Sequence, residues 1–139
     1  MDIGEARASD AVGTDRCYGC FRPKGDCFCA LIPAIDNRTD VLILQHVRER
    51  FHRFNTARIV HRALRNSVLL VDQTERLAAA RLPLKPRVGL LYPGPRARLL
   101  ADVPWREQPE QLVILDGTWN HVKTLARDIP ALADLPRYG

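Results

Sequence analysis

Serine is nearly missing from this 139-residue chain. It has two, Ser9 and Ser67, and neither stands in the Gly-x-Ser-x-Gly setting of a hydrolase nucleophile elbow. There is no Gly-x-Gly-x-x-Gly and no Gly-Lys-Thr/Ser run, so dinucleotide and P-loop nucleotide chemistry lack their phosphate cradles. No His-Glu-x-x-His run is present to hold a hydrolytic zinc. Long apolar runs are also lacking: stretches such as Val68 to Val71 fall far short of a membrane span. The first sixteen residues carry no basic region followed by an apolar one. These absences favour a cytosolic protein that does not meet the membrane, and in that reducing setting four cysteines read better as thiolates than as disulfides.

Lysine is scarce as well. Only Lys24, Lys85 and Lys123 occur, so 18 of the 21 basic residues are arginine, and the net charge is +5. The guanidinium offers a planar fork for phosphate and a face for stacking on bases, which favours a polyanionic partner. A codon bias towards arginine would produce the same composition. The length suits one domain with an adequate apolar core.

Residues 1–15 mix Gly, Ala, Ser and Asp without periodicity and read as a flexible tail. Residues 16–34 form a loop containing Cys17-x-x-Cys20 and Cys27-x-Cys29, with turn formers between. Four soft ligands within thirteen residues suit a structural zinc ion with every position filled. Such an ion would supply the stability that a loop with little apolar material lacks. Two disulfides or four inert thiols are the plain alternatives, and the tight Cys-x-Cys end also leaves iron open.

From residue 35 to 139 apolar runs alternate with helical patterns. Val41 to Leu44, continuing into Gln45 and His46, Val68 to Val71, Val88 to Tyr92 and Leu112 to Leu115 read as buried strands. Asn55 to Leu64 reads as a helix capped by Asn55 or Thr56, with Arg58, Arg62 and Arg65 on one face. Thr74 to Leu82 reads as a short helix stopped by Pro83. Trp119 to Asp128 reads as a third, with Trp119, Val122, Leu125 and Ala126 on its apolar face. The alternation predicts an α/β domain with a mainly parallel sheet flanked by helices.

In such sheets, ligands lie beyond the carboxyl ends of strands. Asp116, Gly117, Thr118 and Trp119 occupy that position: glycine permits close approach, threonine can cap the helix, and its free N–H groups favour an anion. Trp119 offers a flat wall for a purine. An ordinary capped helix with its tryptophan in the core would account for the same residues. Leu91-Tyr92-Pro93-Gly94 ends another strand and could form the facing wall. His46 and Glu49 follow the first strand, where histidine is more often structural than catalytic.

The ordered set of these pieces resembles the DTW-domain family of tRNA-uridine aminocarboxypropyltransferases. It comprises the cysteine pattern, Leu44-Gln45-His46 with Glu49, Asn55 to Ala57, Leu90 to Gly94, Leu115 to Trp119, Pro130 to Leu132 and Leu135 to Arg137. The resemblance implies a SPOUT-like fold and transfer of the 3-amino-3-carboxypropyl group of S-adenosylmethionine to N3 of a tRNA uridine, releasing 5′-methylthioadenosine. It implies a donor site formed by Leu91, Tyr92, Pro93, Gly94 and Leu115 to Trp119, with Asp116 steering the uridine N3 proton or holding the donor's amino group. Arg58, Arg62, Arg65, Lys123 and Arg127 would hold tRNA phosphates. Members usually continue past Leu-Pro-Arg into a further strand and helix, so the resemblance also implies that the C-terminal part of the domain is missing here. A methyltransferase using the same donor, and a zinc-stabilised RNA-binding module without catalysis, are the competing readings. No obligate protein partner is implied.

Overall fold

A computed structural model describes residues 16–20, 22–50 and 55–139; the tail expected over residues 1–15 lies outside them. The order of the main elements is β1 (Asp40–His46), α1 (Thr56–Ala63), β2 (Ser67–Asp72), α2 (Thr74–Ala79), β3 (Val88–Leu91), β4 (Gln111–Asp116), α3 (Trp119–Asp128) and β5 (Arg137–Tyr138). The five strands form one sheet in the order β2-β1-β4-β3-β5. Every pairing between them is parallel, as the alternating pattern requires, since parallel neighbours need a crossover between them.

The period of two along β1 divides the core. Leu42 and Leu44, with Leu90 of β3 and Val113 of β4 on the same face of the sheet, pack against Leu77, Leu125, Ile129 and Leu132 from α2, α3 and the turn after α3. Val41 and Ile43 face Ala57, with Val60 and Leu64 of α1 packed alongside. The sheet is thus flanked by helices on both faces, and successive residues at the end of β1 must point to opposite sides.

Three elements differ from the sequence expectation. The β2 strand lies at the sheet edge, paired only with β1, and Val68 is 46% exposed; it is not a buried strand. The α2 helix ends at Ala79 and not at Leu82. Ala80 is already extended, and the following stretch places the alternate residues Leu82 and Leu84 against the core. The α1 helix ends at Ala63, so Arg65 lies beyond it and not on its face with Arg58 and Arg62.

The short β5 strand had no sequence signal. It pairs with β3 on one side, and on the other its residues exchange hydrogen bonds with the stretch after β3: Arg98 N–H donates to Arg137 O at 3.0 Å and Gly139 N–H to Arg98 O at 2.8 Å. The tail is therefore inserted between two segments joined by the Pro93–Ala97 loop. Gly89 makes room for it, because a Cβ there would lie 2.4 Å from the Tyr138 ring. No helix among the described residues is long and apolar enough to cross a membrane.

Candidate functional site

The carboxyl ends of the strands bring Asp72, His46, Asp116, Tyr92 and Tyr138 to one edge of the sheet, because Gln45 pairs with Asp116, His46 with Asp72 and Leu91 with Tyr138. Within it, Gln45 of β1 is fully buried, and its Nε2 donates to Asn55 Oδ1 and to Asp116 Oδ2, each at 2.8 Å. Asn55 is oriented by its own amide, which donates to Arg50 O at 2.7 Å, while its Oδ1 also accepts from Arg58 N–H and so caps α1. With both Gln45 amide protons committed to oxygens, the Asp116 carboxyl is fixed in orientation through Oδ2.

After Asp116 the chain turns at Gly117, and Thr118 Oγ1 accepts from His121 N–H at 3.3 Å to cap α3. Trp119 opens that helix and is 62% exposed. It is therefore not part of the buried face, which is carried by Leu125 and Ala126. Its ring instead faces Tyr92, with centroids 6.0 Å apart at 25°. Tyr92 also carries Arg137, whose guanidinium carbon lies 4.7 Å from the ring centroid. The two turns expected to face each other do so through this aromatic pair. Gly94, at φ +155°, has open space where a Cβ would sit. Leu91 ends β3 and Leu115 is the last apolar residue of β4; Leu115 packs against the core on the α2–α3 side, and Leu91, paired with Ile114, faces the other way.

His46 and His121 stack face to face on the α2–α3 side, centroids 3.9 Å apart and planes parallel within 1°. The separation in sequence hid this pair. Burial lowers the His46 pKa below its ordinary 6.5, helped by His121 and Arg48.

The four cysteines are free thiols, and their sulfurs lie within 4.8 Å of one another. Cys17 Sγ and Cys29 Sγ are 3.6 Å apart. Tetrahedral zinc–thiolate bonds of about 2.3 Å place ligand sulfurs about 3.8 Å apart, so the cluster could hold a metal ion with little movement. Backbone N–H groups of Cys20 and Gly19 draw the Cys17 thiol down to about 6, whereas burial pushes Cys29 up to about 12. The disulfide alternative is not realised.

The basic residues do not form one stripe. Arg58 is half-buried, and burial beside Arg50 and Arg62 lowers its pKa. Arg62 lies over the cysteine loop, its guanidinium carbon 3.2 Å from where a Gly19 Cβ would stand. Arg65 and Lys123 are exposed. Arg127 is exposed but engaged with Asp128 through two hydrogen bonds of 2.7 and 3.0 Å.

A wholly parallel sheet flanked by helices, beside a cysteine loop that could hold a metal ion, defines an α/β domain. Comparison with known proteins specifies it: the chain belongs to the DTW domain family, matched over residues 14–139. It is 25% identical to tRNA-uridine aminocarboxypropyltransferase A of Arabidopsis thaliana over 80% of this chain, and 29% identical to tRNA-uridine aminocarboxypropyltransferase 2 of Drosophila melanogaster over 95% of it. The chain spans about half the length of these relatives, 50% and 56% respectively. No solved structure matches it.

Proposed function

We propose that this chain carries the transfer site of a tRNA-uridine aminocarboxypropyltransferase that uses S-adenosylmethionine. The observation that carries the reading is the fixed carboxylate of Asp116, anchored by Gln45 and followed at once by the turn whose Trp119 faces Tyr92. The names of the two relatives support the same activity, which is proposed here for the chain.

Tyr92, Pro93, Gly94 and the Gly117–Trp119 turn bind the donor, with Leu91 and Leu115 behind them. When bound, S-adenosylmethionine supplies a carbon made electrophilic by its sulfonium. Asp116 takes the proton from uridine N3, which attacks best without it. The N3 lone pair then bonds to the γ-carbon of the aminocarboxypropyl chain, the carbon–sulfur bond breaks, and its electrons stay on sulfur in neutral methylthioadenosine. The leaving group is good, so positioning supplies much of the rate. Arg137, held on the Tyr92 ring, is the cation closest to this turn for the donor's carboxylate.

Zinc in the Cys17, Cys20, Cys27 and Cys29 cluster stabilises the loop, and Arg62 couples that loop to α1. Arg58, Arg62, Arg65, Lys123 and Arg127 hold the tRNA backbone in this reading, all but Arg58 being exposed. The proposed setting is the cytoplasm.

The test is incubation with unmodified tRNA and S-adenosylmethionine. Methylthioadenosine release and an aminocarboxypropyl mass increment on uridine are expected. A methyl increment alone would make the chain a methyltransferase. Salt-dependent tRNA binding without either product would make it a binding module.

A further inference from the structure

A cavity of about 450 Å³ opens on the α2–α3 side at the ends of β1 and β2. That volume is within the range of small-molecule sites. The stacked pair His46 and His121 lines it, with Gln73, Thr74 and Thr124, and with Arg48 and Glu75 at opposite sign. None of these residues belongs to the donor turns, yet the cavity adjoins them through one residue. A Cβ on Gly117 would lie 2.8 Å from His121 Cβ and 3.5 Å from His46 Cβ. Between the histidines and the turn from Asp116 to Trp119 there is thus only the Gly117 backbone, with no side chain.

The chemistry of the lining selects its occupant. Arg48 and Glu75 offset each other, so the cavity does not favour an anion. Parallel imidazoles direct their lone pairs side by side in separate planes, which does not suit chelation, and among the described residues only the cysteine cluster has metal-binding geometry. What remains is a set of neutral donors and acceptors around a flat aromatic wall. The Arg48 N–H donates to His46 Nδ1 at 3.2 Å, which leaves the proton of the neutral ring on Nε2 as a donor. His121 Nδ1 is buried and lacks a hydrogen-bond partner among the described residues; its nearest carboxylate, Glu49 Oε2, is 3.9 Å away, too far for a hydrogen bond. A planar heterocycle with two carbonyls flanking an N–H matches this set.

We propose that this cavity is the acceptor compartment, which takes the flipped-out uracil base and turns its N3 past the bare backbone of Gly117 towards Asp116 and the donor. The proposal rests on the transferase reading and adds to it the place of the second substrate. His46 and His121 read the base by its carbonyl edges, and Gln73 and Thr124 close the remaining polar contacts. Removing the base from the RNA stack is required of any protein that reacts at its pairing edge.

The test uses the imidazole NMR signals of His46 and His121, assigned with His46→Gln and His121→Gln, and uridine as probe. Saturable shifts of both signals, with His61 unmoved and cytidine much weaker, are expected. Thr124→Phe, which fills the cavity from α3, and Gln73→Leu, at an exposed position, should each lower kcat/KM for tRNA, the first on the order of 100-fold. Donor affinity measured by calorimetry should stay within about twofold of the unsubstituted chain. Histidine signals that ignore uridine, or full transfer by both variants, would overturn the compartment while leaving the transferase intact. Uridine-dependent shifts in a chain that transfers nothing would keep the compartment and defeat the reaction assigned to it.

Discussion

The Gln45 amide donates to the Asp116 carboxylate at 2.8 Å across two paired strands, and it does so from a position with no solvent exposure. A buried amide committed in this way fixes the orientation of its partner. Asp116→Asn retains an oxygen for Gln45 to donate to, so the fold should be kept. Transfer should fall by about 10²–10⁴-fold, the range for loss of a general base, and tRNA affinity should be unchanged in a filter-binding assay. Wild-type turnover by this variant would remove Asp116 from the chemistry.

Gln45→Leu should act on stability as well. It withdraws one donor from Asn55 Oδ1, which keeps the Arg58 N–H, and one from Asp116; two lost hydrogen bonds cost about 1–3 kcal/mol together. Urea unfolding should show a lower midpoint with an unchanged slope. A shift confined to activity would mean that the network orients Asp116 without supporting the fold.

Gly117→Ala is expected to destabilise by about 1–3 kcal/mol, the usual range for overpacking. The new methyl would meet His121 Cβ at 2.8 Å, and that atom is fixed to the α3 backbone and cannot swing away. Adding His121→Gly to the substitution should restore much of the thermal midpoint. Failure of this rescue would place the strain elsewhere.

Acidification should weaken the fold. Burial lowers the pKa of His46, and of His61, below the ordinary 6.5, so between the folded and unfolded values the unfolded chain binds more protons. Stability therefore rises with pH in that window. It is complete above 6.5 and declines as the pH falls from 6.5 through the folded values. Replacing His46 by Gln should flatten part of this slope in thermal melts between pH 5 and 7.

The cysteine loop carries the fifth prediction. One zinc ion per chain is expected by elemental analysis, and a chelator should expose four titratable thiols and lower the melting temperature. Cys20→Ser, at the most buried of the four positions, should abolish stoichiometric zinc. A chain that keeps its melting temperature without metal would leave the loop stabilised by its turns alone.

The apolar runs of β1, β3 and β4 and the Thr118 cap of α3 were readable along the chain because each is a local pattern: consecutive apolar residues, or a hydroxyl three places before the N–H it accepts from. The cysteine spacing was readable for the same reason. The edge position of β2 was not, since Val68 to Val71 has the composition of a central strand and only its neighbours show that one flank is open. Nor was β5, whose two residues acquire a strand's hydrogen bonds solely from β3 and Arg98.

By itself, then, the sequence determined the alternation of strands and helices, the thiol cluster and the location of Asp116 to Trp119 at a strand-to-helix turn, all set by contacts within a few residues. Only the tertiary structure decided that Gln45 holds Asp116 from 71 positions away, that His46 stacks on His121, and that Trp119 faces Tyr92 and not the core. Those relationships follow from strand order and parallel register, and the register is chosen by the whole buried surface at once.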